Sequence, residues 1–305
     1  MITFFRDIPY SPFLVTGLIA GMLAGVACGL IGPYVITRRI VFLSGAIAHM
    51  AVGGIGAAVF ARHHLRAFLL EGSAGPELTG VFEGRPLLHA LDHLLPTLGA
   101  GAAALLGAVI IGLAQHRAKE RIDMLIGAMW AVGMSLGVLL IRFTPGYHVE
   151  LMSYLFGNLA IVSWDQIWFT LALDVLIVAA VLIFHKRLLA LCLDEEQCLL
   201  QGVSVLGTNL VLLTLVALTV ICLIQVVGLI LVLALLTLPA ATAGHYVQRL
   251  APMRWAAVGL CLVLTTLPRV AVYDTPLSPE SSIVLAAAAV YLVSVVGRRV
   301  WRGRR

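Results

Sequence analysis

Apolar runs alternate with short charged loops along almost the whole chain. Runs of about 20 apolar residues match a hydrocarbon layer about 30 Å thick. The pattern predicts spans near 12–36, 43–60, 94–114, 123–142, 164–185, 206–224, 226–245, 253–271 and 282–298. Leu206–Ala243 is too long for one crossing at a helical rise of about 1.5 Å per residue, and Gln225, Gly228 and Pro239 interrupt it. It therefore reads as two helices. Residues 150–163 read as a short helix or re-entrant piece, and 61–94 as a polar loop. The fold class expected is all-α, a polytopic transmembrane helical bundle of about eight or nine spans forming one domain over 1–305. The first run is long, Gly-rich and ends in Arg38-Arg39, as a retained span would.

Composition sharpens this picture. Mean hydropathy is +1.04, 61% of residues are apolar and 11% are charged. A soluble domain could not cover its surface with that balance. The net charge of +5 does not argue for a nucleic-acid partner, because the basic residues sit at span ends. With Arg38-Arg39 placed inside, 14 Lys and Arg fall on the cytoplasmic side and 6 outside. That bias puts the C-terminus inside and makes 61–94 external. The chain is thus expected in the cell (inner or cytoplasmic) membrane as a multi-pass protein. The external segment carries His63, His64, His89 and His93. It reads as a solvated loop, with metal attraction as the alternative.

Gly17, Gly21, Gly25 and Gly29 recur every four residues in the first span. Such a stripe lets another helix approach closely. The five cysteines show no metal or disulfide spacing. Only two lysines occur, Lys119 and Lys186, and neither sits in a phosphate-binding GxxxxGK[ST] loop. No HExxH or CxxC appears either. The polypeptide is therefore not expected to be an enzyme or to hold a permanent cofactor.

Few residues could carry chemistry inside the membrane. His49 shares a helix face with Gly45, Gly53 and Ala57, and small residues mark a face turned towards protein. An ionisable residue there is either a satisfied structural group or part of a path, and imidazole is a common transition-metal ligand. Asp174 lies near mid-membrane. Glu150 and His245 sit near span ends, where interfacial roles are common. Leu193–Val205 reads as a short cytoplasmic helix. Asp194 and Gln197 suit its start, Glu195 and Glu196 its positive dipole end, and Gly202 its stop. Leu199, Leu200 and Val203 form its apolar strip, which suits either the lipid surface or a groove on a partner.

Several segments together resemble one family. They are Arg38-Arg39 followed by the His49 run, Ile122–Ile141, Glu150–Ile167, Leu193–Val205, Val226–Ala243 and Tyr273–Ala288. In this order they are similar to permease subunits of the zinc/manganese/iron ABC importers, the ZnuB-like metal ABC transporter permeases. The resemblance implies an ATP-driven importer of divalent metal, with hydrolysis in a separate cytoplasmic ABC ATPase. It also implies an extracytoplasmic metal-binding protein and a second permease subunit, read as a homodimer. Asp194–Gly202 would be the coupling helix that the ATPase grips.

One position departs from the pattern. The family usually reads Gly-Asp-Ala-Leu-Ser-His, whereas this chain reads Ser44-Gly45-Ala46-Ile47-Ala48-His49. The histidine is kept and the carboxylate is lost. Mn²⁺ should suffer more from that than Zn²⁺, so the transported metal is expected to be zinc, contacted by His49. Glu150, Asp174 and His245 are the candidates for a further ligand. The rival readings are a permease for a metal chelate and an ion-gradient-driven secondary transporter.

Overall fold

A computed structural model describes residues 6–7, 11–71, 86–117, 122–144, 157, 159, 161–224 and 226–302; the side chains of 65–71, 86–94, 197 and 300–302 lie outside that description. Among the described residues, nine helices are long and apolar enough to cross a membrane. In chain order the helices are α1 (Pro12–Thr37), α2 (Val41–Glu71), α3 (Pro86–Arg117), α4 (Ile122–Arg142), α5 (Trp164–Ile183), α6 (His185–Leu193), α7 (Glu195–Leu200), α8 (Val205–Ile224), α9 (Leu229–Tyr246), α10 (Leu250–Ala271) and α11 (Pro279–Arg302). Within the segment read as a polar loop, 61–71 and 86–94 are helical, as α2 runs on to Glu71 and α3 begins at Pro86, and 72–85 lie outside the described residues. Two compact units emerge, Met1–Ser44 with Met152–Arg305, and Gly45–Leu151.

In the first unit α1 is the central helix. Its glycine stripe finds its partner in α10, turn by turn. A Cβ at Gly29 would stand 2.5 Å from Val258 Cα. At Gly25 it would meet Cys261 at 3.4 Å, and at Gly21 Thr265 at 3.6 Å. At Gly17 it would run into the Arg269 guanidinium and the Leu159 carbonyl. The α10 backbone comes closest at Gly29, while at Gly17 the Arg269 side chain fills the space. Packing of this kind replaces the hydrophobic drive that lipid cannot supply.

The stop between α1 and α2 is made without glycine. Arg39 has φ 58, and no other described non-Gly residue has a positive φ. Its N–H bonds Ile36 O at 3.1 Å, and the Ile40 N–H bonds Val35 O at 3.0 Å. This is a Schellman closure, in which a left-handed residue satisfies the last carbonyls.

The long apolar stretch 206–243 does break, with α8 ending at Ile224 and 226–228 non-helical. Gly228 caps α9 with φ 81, while Pro239 is accommodated inside α9. Irregular backbone at membrane depth must be buried in protein. Val226 and Val227 are buried, and Gly157 lies directly on the Val227–Gly228 peptide, leaving no room for a Cβ. Gly157 also has φ 75, so both space and conformation demand glycine there.

Leu159, two residues on, is clamped by opposite charges. Arg269 Nη2 donates to Leu159 O at 3.2 Å, and Leu159 N–H donates to Glu280 Oε1 at 2.7 Å. Both side chains are buried, at 5% and 6% exposure. Ser163 then starts α5 with a full capping box: its Oγ accepts from Gln166 N–H at 3.3 Å, and its own N–H donates to Gln166 Oε1 at 3.0 Å.

The second unit contains α2, α3 and α4. Gly54 meets Gly99 of α3 backbone to backbone. Gly53 and Gly56 face Gly133 and Gly137 of α4, whose carbonyls would lie 2.7 and 2.5 Å from added Cβ atoms. Small residues one turn apart on two helices thus bring three backbones together.

Candidate functional site

His49 lies within this glycine-walled packing. It is 7% exposed, and its Nδ1 is buried with no hydrogen-bond partner among the described residues. The backbone of α4 passes beside its carbonyl, because a Cβ at Gly133 would stand 2.8 Å from His49 O. Its ring packs against Trp130 of α4, with centroids 4.7 Å apart and planes tilted by 37°. Trp130 also covers the position of the missing carboxylate. A Cβ at Gly45 would be 3.2 Å from Trp130 Cζ3 and 3.3 Å from Cη2. The indole thus occupies the space one turn before His49. Nothing in the periodicity of α4 singles out Trp130, and only the packing of α2 on α4 reveals it.

The remaining metal candidates are dispersed. Asp174, in α5 of the first unit, is 3% exposed, and neither carboxylate oxygen has a hydrogen-bond partner among the described residues. Thr170, one turn earlier, also has an unpartnered buried hydroxyl. His245, near the end of α9, is engaged by Ser294 Oγ at 2.8 Å through Nδ1 and stacks on Tyr291. Glu150 lies outside the described residues. Among the described residues no three His, Cys, Asp or Glu side chains gather into a metal-holding group.

The segment 193–205 forms the expected short helix, α7. Asp194 Oδ1 accepts from Glu196 N–H at 2.9 Å, which caps its start. Gly202, with φ 71, closes its end, with Val203 N–H bonded to Cys198 O at 2.9 Å. Glu195 and Glu196 occupy the first turn. Leu199 is exposed and Leu200 is 87% exposed, so the apolar strip is open. The Gln197 side chain lies outside the described residues.

Arg38 ties this helix back to α1. Its Nη2 bonds Glu195 Oε1 at 2.7 Å, and its Nη1 donates to Leu191 O at 3.0 Å. Cys192 lies partly covered on α6, and burial raises its thiol to about 11 against the opposing pull of Arg38. At the start of α6, His185 Nδ1 lies 3.2 Å from Tyr34 Oη, which accepts from Arg254 Nη1 at 3.1 Å. The Tyr34 hydroxyl thus bridges Arg254 and His185. Burial, then the Arg254 charge, lower the pKa of His185 below its ordinary value.

Comparison with known proteins gives these features a family context. The model described as the ABC 3 transport family matches residues 10–298. A probable metal transport system membrane protein of Chlamydia trachomatis is 32% identical, over 95% of this chain and 90% of its own length. The manganese transport system membrane protein MntC of Halalkalibacterium halodurans is 27% identical, over 100% of this chain and 96% of its own. Among solved structures, PsaBC from Streptococcus pneumoniae in complex with Fab matches with a TM-score of 0.76 and 26% identity, covering 96% of this chain and 95% of that one.

Proposed function

This chain belongs to the ABC 3 transport family, and we propose that it is the membrane-spanning permease subunit of an ATP-driven importer of a divalent first-row metal ion. The observation that carries this reading is His49, a buried imidazole with an unpartnered nitrogen on a small-residue helix face. Relatives named for metal and manganese transport support it over the chelate and gradient-driven readings. Imidazole donates a lone pair suited to zinc and other transition metals. A transport path also needs binding weak enough to release the ion, which favours few ligands over a closed cage. Asp174 supplies a second polar group in the spans of the first unit.

ATP hydrolysis belongs to a partner, a cytoplasmic ABC ATPase that seats on Asp194–Gly202. Exposed Leu199 and Leu200 give that helix an apolar contact, and Glu195 and Glu196 give it charge. A push on α7 reaches α1 through the Arg38 bonds, and α1 is interlocked with α10 along the glycine stripe. An extracytoplasmic metal-binding protein delivers the cargo, and a second copy of the chain completes the assembly.

Zinc is the metal favoured by the site itself, since position 45 carries no carboxylate and is covered by Trp130. The manganese in the names of several relatives supports the second reading. The test is uptake into vesicles holding this chain and its ATPase, with Zn²⁺ and Mn²⁺ in competition. Excess Zn²⁺ should suppress Mn²⁺ entry more strongly than the reverse. Strictly manganese-dependent flux would reverse the order, and ATP hydrolysis without either flux would remove the function.

A further inference from the structure

A groove of about 530 Å³ opens between the last turns of α9, the first half of α10 and the middle of α11. This is the size of a site for a small ligand. Its walls are apolar, with Val247, Leu260, Val290 and Val293 among them, and it carries Thr242 and Ser294 towards one end. That end is the one the Lys and Arg count puts inside. Its chemistry changes there. His245 bonds Ser294, Tyr246 is exposed, and Arg298 lies one turn beyond Ser294, near enough to act on His245 by charge. Exposed Arg249 follows Val247 by two residues, and exposed Arg299 follows Arg298.

The dimensions fit one leaflet. Arg298 lies nine positions along α11 from the lining residue Ala289, about 14 Å at the helical rise, close to half the hydrocarbon thickness. An apolar slot with exposed Tyr246 at its inner end, and Arg249, Arg298 and Arg299 a few residues beyond its lining, is complementary to a fatty chain attached to a phosphate. We propose that this groove binds one acyl chain of an inner-leaflet anionic phospholipid, with its phosphate against the arginines at the mouth. The site would make the permease sensitive to the charge of its membrane, and it involves neither His49 nor α7.

The test uses the full chain, extracted in its native assembly and exposed to equal amounts of phosphatidylglycerol and phosphatidylcholine of the same chain length. Native mass spectrometry counts the lipid retained. Phosphatidylglycerol should be retained preferentially, by about fivefold for each arginine engaged. Arg298→Gln should reduce that preference by about the same factor while lipid still binds. Ala289→Trp should fill the slot and remove both lipids. Equal retention of the two lipids by the unaltered protein would overturn the proposal, as would a preference unchanged by Arg298→Gln. A Val293→Cys variant that cross-links two copies in the bilayer would also overturn it, because a second copy would then cover the groove. None of these outcomes depends on metal flux, so the proposal can fail while the transport reading stands.

Discussion

Replacing Gly29 by alanine is expected to weaken the first unit, whereas the same change at Gly21 is expected to strengthen it. Taken alone, alanine in place of helical glycine gains about 1 kcal/mol of helix propensity. At Gly21 the new methyl would sit 3.6 Å from Thr265 Cβ, an ordinary contact. The gain survives there, at about 0.4–1 kcal/mol. At Gly29 the methyl would be 2.5 Å from Val258 Cα and 2.7 Å from Val258 N. Those atoms are backbone and can yield only if α10 moves away from α1. Overpacking of that sort costs about 1–3 kcal/mol, and it also separates packed neighbours on either side. Gly29→Ala should therefore be net destabilising by up to about 2 kcal/mol. Denaturant titration of each purified variant in micelles, read as the shift of the unfolding midpoint, measures the difference. Equal shifts of the same sign at 21 and 29 would refute the idea that α1 and α10 interlock through this stripe.

Arg269→Ala is expected to cost about 1–3 kcal/mol, because it strips the buried Leu159 carbonyl of its charged donor; a midpoint unchanged in the same titration would contradict the clamp. His185 has a lowered pKa in the folded chain, so its contribution is complete above its ordinary value of 6.5 and is lost as pH falls below it. His185→Gln should flatten that slope in a melting series run across mildly acidic pH, and an unaltered slope would assign the effect to another group. Gly45→Asp should fold poorly alone, because Trp130 crowds the added side chain; combined with Trp130→Ala it should recover yield and shift the uptake competition towards Mn²⁺, the opposite shift counting against the assignment of that space.

The spans were legible because lipid leaves little choice: a helix must be about as long as the hydrocarbon is thick and must satisfy its own backbone. The glycine stripe was legible as a packing face, but its partner was not, since α10 presents Val258, Cys261 and Thr265 without a small-residue pattern of its own. The caps of α7 at Asp194 and Gly202 followed from local chemistry. The Arg38 anchor beneath it did not, because that bond joins residues 157 positions apart. His49 stood out as a polar residue among small ones. Trp130 carries no signal in the sequence, and only the packing of α4 puts it over Gly45 and His49. The clamp of Arg269 and Glu280 was hidden for a similar reason, as both lie near span ends where charges ordinarily face water.

The most direct test of the account is inward flux of divalent metal into vesicles that carry this permease and its ATPase, compared between the unaltered chain and His49→Ala. Flux should require ATP and a divalent cation. It should fall to background in the variant, while assembly and basal ATP hydrolysis persist. Undiminished metal entry with His49 gone would contradict the claim that this imidazole lines the path.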